Sequence, residues 1–398
     1  MTRSDPLLLR CPSCASAGPS PFYELGHVPA HDALLMPSRE SALAGAHGDI
    51  RLAFCPSCGF IFNASFDPQL QAYAPGYEGT QAFSPTFSAF AQRLASDLIA
   101  RYDLHGKDIL EIGCGMGEFL TLLCQIGDNR GIGFDPAYVP GRVEDDALKR
   151  VTFVKDRYSE RYAGLRADFL CCKMTLEHIS DTAAFVRMVR RGIGDEQHAI
   201  IFFQVPNVVR ILRELAFWDI YYEHCSYFSL GSLARLFARC GFDVLELWRD
   251  YGDQYLMLTA RPSSGSPAPL PPQADDQAQL AAYVAHFAAK HAQKLAFWQR
   301  RLQEAQQKGR CTVLWGGGSK AVAFLTALGV RDEIACVVDL NPFKQGTYLP
   351  GTGHRIVSPE SLRACQPDLV IVMNPIYRQE IAAEVRRLGL TPELLAVG

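Results

Sequence analysis

No stretch of this 398-residue chain stays apolar over the roughly 20 residues a bilayer-spanning helix needs, so a membrane protein is not expected. The opening "MTRSDPLLLRCPSC" has only a brief apolar run before a polar cysteine pair, which makes a secretory leader unexpected and the cytoplasm the expected location. Charge of one sign is scarce too. A formal net charge of −3 and a pI near 6.4 provide no broad positive field for a phosphate backbone. General nucleic-acid binding is thereby excluded, and small acidic ligands are left to local sites. The 13 cysteines also lack the pattern of a secreted disulfide scaffold, since nine stand singly or as Cys171-Cys172 in apolar contexts, as small buried thiols do.

The length suits two or three domains. The remaining four cysteines form two identical "CPSC" knuckles, at Cys11 and Cys14 and again at Cys55 and Cys58. Two such knuckles let four thiolates converge tetrahedrally on one Zn(II) and leave no open coordination position, which is a structural site. A redox C-x-x-C is the competing reading, but it wants one pair beside a βαβ unit. A zinc-binding module over residues 1–70 is expected, dependent on its metal to fold.

Beyond Phe62 strand and helix signals alternate. "DILEI" (108–112), "GIGF" (131–134), "VTFV" (151–154), "ADFLCC" (167–172) and "AIIFFQV" (199–205) read as strands. Phe119, Leu122, Leu123 and Ile126 share one helical face, and Ser229 and Gly241 bracket another helix. "VLELW" and "YLMLTA" follow closely enough to pair antiparallel at an edge. The fold class is α/β, a doubly wound sheet whose ligand crevice lies beyond the carboxyl ends of its strands, over residues 71–262. "RPSSGSPAPLPPQ" is a linker, a long helix runs from about Asp275 to Gln307, and "CTVLWGGGSKAVAFLTALG", "ACVVDLNP" and "PDLVIVMNP" build a smaller Rossmann-like α/β unit. Linker, helix and this unit make up 263–398.

Two glycine turns need separating. In "LEIGCGMGEF", Gly113, Gly115 and Gly117 permit a tight strand-to-helix turn, Glu111 ends the strand, and Asp135 lies at the tip of the next one, where a carboxylate accepts two ribose hydroxyls. The spacing G-x-G-x-G is not the dinucleotide fingerprint. With its preceding acid it resembles the S-adenosylmethionine (SAM) loop of class I methyltransferases; a phosphate-binding or purely structural turn is the alternative. Asp156 is a further, weaker candidate, for the adenine amino group. In "VLWGGGSKAVAF", Gly316, Gly318 and Ala321 fit G-x-G-x-x-A with Asp339 at a ribose distance, as in NAD proteins. Lys320 adds a cation at the helix start that suits any phosphate, including that of a nucleotide-activated substrate; a turn that only packs helix on strand is equally open.

The cysteine module, "EIGCGMG", a Y-x-E-H segment after the fifth strand and "WGGGSKAVAF…VDLNPFKQGTYLPGTGHRI…PDLVIV" together resemble the nucleotide-sugar C-methyltransferases over nearly the whole chain. The resemblance implies SAM as cofactor, a small-molecule substrate carried as a nucleotide-sugar, and alkylation of a carbon next to a ketone in deoxysugar and secondary metabolism. It also implies that Tyr221, Glu223 and His224 occupy the reaction centre. Carbon alkylation needs a base, and a neutral imidazole takes a proton near pH 7, so His224 is the expected base. Tyr221 is assigned to the ketone oxygen and Glu223 to orienting or polarising the site, though neighbours in an extended strand face opposite ways. His178 is the reserve base. "YAPGYEGTQAFSPTF" (73–87) is expected as a lid, with Tyr73 and Tyr77 towards substrate. One departure bears on the acceptor: where the sugar enzymes carry G-G-S-x-R, this chain has "DYGDQYLML". An O- or N-methyltransferase acting on another small molecule therefore stays open, as does a binding or oxidoreductase role for the second glycine turn.

Overall fold

The computed structural model describes residues 9–71, 76–194, 196, 198–265 and 268–398, and its strands gather into three sheets. Near the N-terminus β1 (Ser20–Pro29), β2 (His47–Phe54) and β3 (Ile61–Asn63) run antiparallel. β4 (Asp108–Ile112), β5 (Arg130–Phe134), β6 (Val151–Val154), β7 (Phe169–Lys173) and β8 (Ile200–Pro206) are the parallel strands of the central sheet. β9 (Ser226–Tyr227) departs from that sheet and pairs with β3, giving the order β1-β2-β3-β9. β10 (Phe242–Asp250) and β11 (Tyr255–Pro262) complete the central order β10-β11-β8-β7-β4-β5-β6, with β11 antiparallel to both neighbours. The third sheet is wholly parallel: β12 (Thr312–Trp315), β13 (Val337–Val338), β14 (Ile356–Val357), β15 (Leu369–Val372) and β16 (Glu393–Ala396), ordered β14-β13-β12-β15-β16.

The central strands are apolar almost throughout because both faces are covered. Ile109, Phe169 and Phe202 pack with Leu94, Leu98, Leu120 and Leu123 from helices Pro85–Tyr102 and Glu118–Gly127. Their neighbours Leu110, Leu170 and Phe203 point the other way, onto Val186, Val189, Leu233 and Phe237 of Thr182–Ile193 and Leu230–Arg239. The expected Ser229 cap is present: its side chain accepts from Ser232 N–H, and Gly241 follows the helix at φ +86°.

The long helix spans Gln277–Gln307. Its start falls just after Asp276, whose carboxylate is drawn to Gly231 N–H (2.8 Å) and Arg235 (3.0 Å). Trp298 and Leu302 join Phe217 and Trp218, which lie just past helix Val208–Glu214, to Phe324 and Leu325 of the C-terminal unit, so this helix packs the segment before the Y-x-E-H stretch against that unit. In that unit β14 and β16 are additions to the sequence reading, because neither is a continuous apolar run bounded by turn signals. Cys311 and Cys365, single in sequence, meet in the fold: their Sγ atoms are 3.1 Å apart, brought together by parallel β12 and the segment before β15. Among the described residues no helix is long and apolar enough to cross a membrane.

Candidate active site

All three glycines of the first turn need the left-handed region: φ is +70° at Gly113, +56° at Gly115 and +88° at Gly117. An added Cβ on Gly113 would collide with Thr175 Oγ1 and one on Gly117 with Phe153, whereas at Gly115 it would meet open space. The turn is thus closely packed on two sides and open on one. Asp135 closes it, accepting from Gly115 N–H (2.9 Å) and Ala137 N–H (2.8 Å). Burial pushes the Asp135 carboxyl upward, and those two donors oppose it. Glu111 is buried with Oε2 unpartnered, and burial, against the pull of Lys173, raises its pKa to about 7. Backbone donors, two carboxylates and a clear side at Gly115 form a cradle that fits SAM. Asp156 is turned elsewhere: its carboxylate accepts from Tyr162 (2.7 Å) and pairs with Arg161.

The Y-x-E-H segment divides its side chains between two duties. His224 N–H donates to Tyr221 C=O (3.2 Å), a tight turn that sets the two rings on one side with centroids 4.2 Å apart. Both line a cavity of about 250 Å³. The two residues between them face the N-terminal sheet and the lid. Tyr222 packs where only a glycine, Gly48, leaves room, and its hydroxyl meets Asp67 N–H (2.7 Å). Glu223 accepts from Asp32 N–H (2.8 Å) and Tyr77 OH (2.9 Å), with His31 at 3.8 Å. Burial pushes Glu223 up, but His31, His178 and those donors outweigh it and hold the carboxyl below its ordinary value. Glu223 is therefore turned to the lid rather than to the imidazole beside it in sequence.

Burial, then the neighbouring His178, hold His224 well below the ordinary histidine range, so the ring is a neutral base. His178 stands edge-on to it at 4.8 Å. Burial holds the Tyr221 phenol well above its usual value, which keeps it a hydrogen-bond donor. Glu177, a residue the sequence reading passed over, is wholly buried 3.9 Å from His224 Nε2, and neither of its oxygens has a hydrogen-bond partner among the described residues. Its only signal was its place in "LEHI", where the histidine drew the attention.

The cavity lies between the carboxyl ends of the central strands and the second glycine turn. Met174, Asn207, Gln254 and Tyr255 wall one side, and Gly316, Gly318, Asn341 and Lys344 the other. The expected lid segment roofs it with Thr80, Gln81 and Phe83. Gln81 and Glu78 fasten the roof: Gln81 accepts from Tyr377 (2.8 Å), and Glu78 accepts from Asn341 (2.9 Å) and pairs with Arg142 (2.7 Å). Tyr73 lies outside the described residues. Lys320 lines the cavity, but its ammonium is paired with Asp219, which Arg210 also holds (2.5 Å). The other polar groups of that turn also meet carboxylates: Gly317 N–H donates to Asp339 (2.8 Å) and Ser319 OH to Asp32 (2.7 Å). Lys344 remains beside the turn, 3.8 Å from Asp339. In the departing "DYGDQYLML" segment, Gln254 exchanges amide hydrogen bonds with Asn374 (3.1 and 2.9 Å).

The four knuckle cysteines converge, their sulfur atoms all within 4.8 Å of one another. Cys11–Cys58 and Cys14–Cys55 are 3.7 Å apart. A tetrahedron with metal–sulfur bonds of ~2.3 Å has edges of about 3.8 Å, so the set fits Zn(II). The knuckle of Cys55 and Cys58 is the turn between β2 and β3, and β3 hands its pairing to β9, two residues past His224.

Residues 87–247 match a methyltransferase domain and residues 273–389 a C-methyltransferase C-terminal domain, together more than two thirds of the chain. The C-methyltransferase NovU of Streptomyces niveus is 28% identical over 291 residues, 69% of this chain and 68% of that protein. Among solved structures, the 1,6-didemethyltoxoflavin-N1-methyltransferase of Burkholderia thailandensis is 17% identical, covering 44% of this chain and 79% of its own, with a TM-score of 0.33. A SAM-dependent methyltransferase of Mesorhizobium loti is 14% identical over 40% of this chain and 92% of its own, with a TM-score of 0.31.

Proposed function

The chain belongs to the SAM-dependent C-methyltransferases, and from that premise we propose that it methylates the carbon next to a ketone in a nucleotide-activated deoxysugar, with His224 as the base. The observation that carries this reading is the shared wall: a neutral buried imidazole and a phenol donor face one cavity, which the C-terminal glycine turn closes opposite them. SAM, when bound, supplies an electrophilic methyl group, and Gly113, Gly115, Gly117, Glu111 and Asp135 are the residues that would hold it. The chain's own work is to generate the nucleophile. His224 removes the α-proton, Tyr221 donates to the oxygen on which enolate charge develops, and the roof around Gln81 excludes water. Lys344 is the cation available to a substrate diphosphate, whereas Lys320 is committed to Asp219, and burial, then Arg210, holds its ammonium well below the ordinary lysine value. Tyr77 acts through Glu223, as a latch of the lid. Cys11, Cys14, Cys55 and Cys58 hold a structural Zn(II). The units proposed for these roles are residues 1–70, 71–262 and 263–398.

Gln254 and Asn374 favour a second reading, because neutral amides stand where the resembled sugar enzymes carry an arginine-containing segment. A non-sugar acceptor methylated on oxygen or nitrogen would suit them. One experiment separates the two: transfer of labelled methyl from SAM to keto sugar nucleotides and simple keto acids, run beside α-deuterium uptake in heavy water. Carbon alkylation requires that uptake and heteroatom methylation does not. His224→Asn is expected to abolish both transfer and exchange with SAM affinity nearly unchanged; wild-type rates in that variant refute the base.

A further inference from the structure

Buried polar groups are hydrogen-bonded almost without exception, and a carboxyl with both oxygens unpartnered is a costly arrangement that calls for a reason. Glu177 is such a group. It sits on the short turn Leu176–His178 that follows β7, and its backbone carbonyl accepts from Cys225 N–H (2.9 Å), which fixes this turn against the segment carrying His224. Among the described residues no charged side chain pairs with it, although the Glu223 carboxylate acts on His178 and Tyr221 from beyond them. The titratable side chains around it are His178 and His224, Cys172 of β7, Tyr221 and Cys225 of the facing segment, and Tyr255 of β11. All are neutral near pH 7, because burial lowers the two histidines and raises the thiols and phenols.

We propose that Glu177 is a positioning residue for the methyl-transfer base: its carboxylate receives the N–H of His224 on the side away from substrate and balances the imidazolium that forms there. This rests on the carbon-methylation reading above. The substrate α-C–H bond breaks, its proton passes to the free ring nitrogen of His224, and the electron pair stays on the substrate as the enolate. The ring, now cationic, donates its Nε2–H to the Glu177 carboxylate, so the pair is neutral overall and no uncompensated charge is left in a dry site. Closing the 3.9 Å gap to hydrogen-bond length needs a shift of about 1 Å. With Glu177 protonated the imidazolium has no counter-charge and the base is weak. Burial raises the Glu177 pKa to about 8, so the assisting form appears as pH rises through that value.

The test is α-deuterium uptake by the keto substrate that the wild type accepts, measured between pH 6 and 9.5. In the wild type the rate should climb about tenfold per pH unit and level off near pH 8, as a single required deprotonation dictates. Glu177→Gln should lose that limb, fall at least ~10-fold below wild type at pH 8.5, and keep its SAM affinity within about twofold. Superimposable profiles would overturn the proposal while leaving His224 in place. Absence of exchange in the wild type at every pH would instead remove the carbon-methylation reading and this inference with it. Should the variant not fold, carboxyl carbon NMR of the wild type decides: two glutamates are expected above the ordinary range, Glu111 near pH 7 and Glu177 near pH 8, and a spectrum with no glutamate titrating above Glu111 would refute it. A second bound metal per chain, absent from Glu177→Gln, would make the residue a metal ligand and equally overturn the proposal.

Discussion

Replacing Glu177 with glutamine is expected to stabilise the protein increasingly as pH rises above 5. The ordinary carboxyl titrates near 4.5 in the unfolded chain, whereas in the folded protein burial holds the proton up to about pH 8. Between those values the native state binds one proton more than the unfolded state, so the stability of the wild type falls by ~1.4 kcal/mol per pH unit. This is the reverse of the usual carboxylate, whose depressed pKa stabilises above its unfolded value. From pH 4.5 to 7.5 the loss amounts to roughly 4 kcal/mol, and above pH 8 it levels off near 5. Glutamine carries no such proton. Any cost of burying its amide is independent of pH, and Glu111, which destabilises in the same sense up to about pH 7, is present in both proteins and cancels. The quantity to read is therefore how the wild-type-to-variant gap changes with pH, by paired thermal melts at pH 5, 6, 7 and 8. At ~2–4 °C per kcal/mol for a unit of this size, the variant should gain on the order of 10 °C over that range. A variant that gains nothing on the wild type as pH rises, or that loses ground, would show that Glu177 ionises in the native protein at or below its ordinary pKa. The same carboxyl then lowers stability and assists the base, a trade expected where a charged group is buried for use.

Asp135→Ala should weaken SAM binding about 10- to 100-fold in calorimetry, the loss of charged hydrogen bonds to a ligand diol, and a dissociation constant within threefold of wild type would refute its role. Gly113→Ala and Gly115→Ala should differ sharply. Both accept backbone strain of about 1–2 kcal/mol, but only the first also drives a Cβ into Thr175, so SAM affinity should collapse in Gly113→Ala and survive in part in Gly115→Ala. Cys58→Ser is expected to release one zinc per chain by metal analysis and to lower methyl transfer as well, since β3 pairs with β9 just beyond His224. Full activity in a zinc-free Cys58→Ser protein would uncouple the module from the site.

Local chemistry made much of this chain legible before folding. A strand must be apolar on both faces to lie between two layers of helices, and β4, β7 and β8 read that way at once. Glycines at alternate positions have few uses other than a turn at positive φ, and paired C-x-x-C knuckles have few ligands other than a metal. What spacing along the chain could not contain was partnership across it. Tyr221, Glu223 and His224 lie within four residues, yet one turn sends Tyr221 and His224 to the cavity and Glu223 to Tyr77 and Asp32, 146 and 191 residues away. Lys320 reads as a phosphate ligand until Asp219 is brought to it over 101 residues. Glu177 is an unremarked glutamate in sequence. Only packing removes its water and its partners together and sets it beside His224, because desolvation and charge pairing belong to three-dimensional neighbours and leave no trace in residue order.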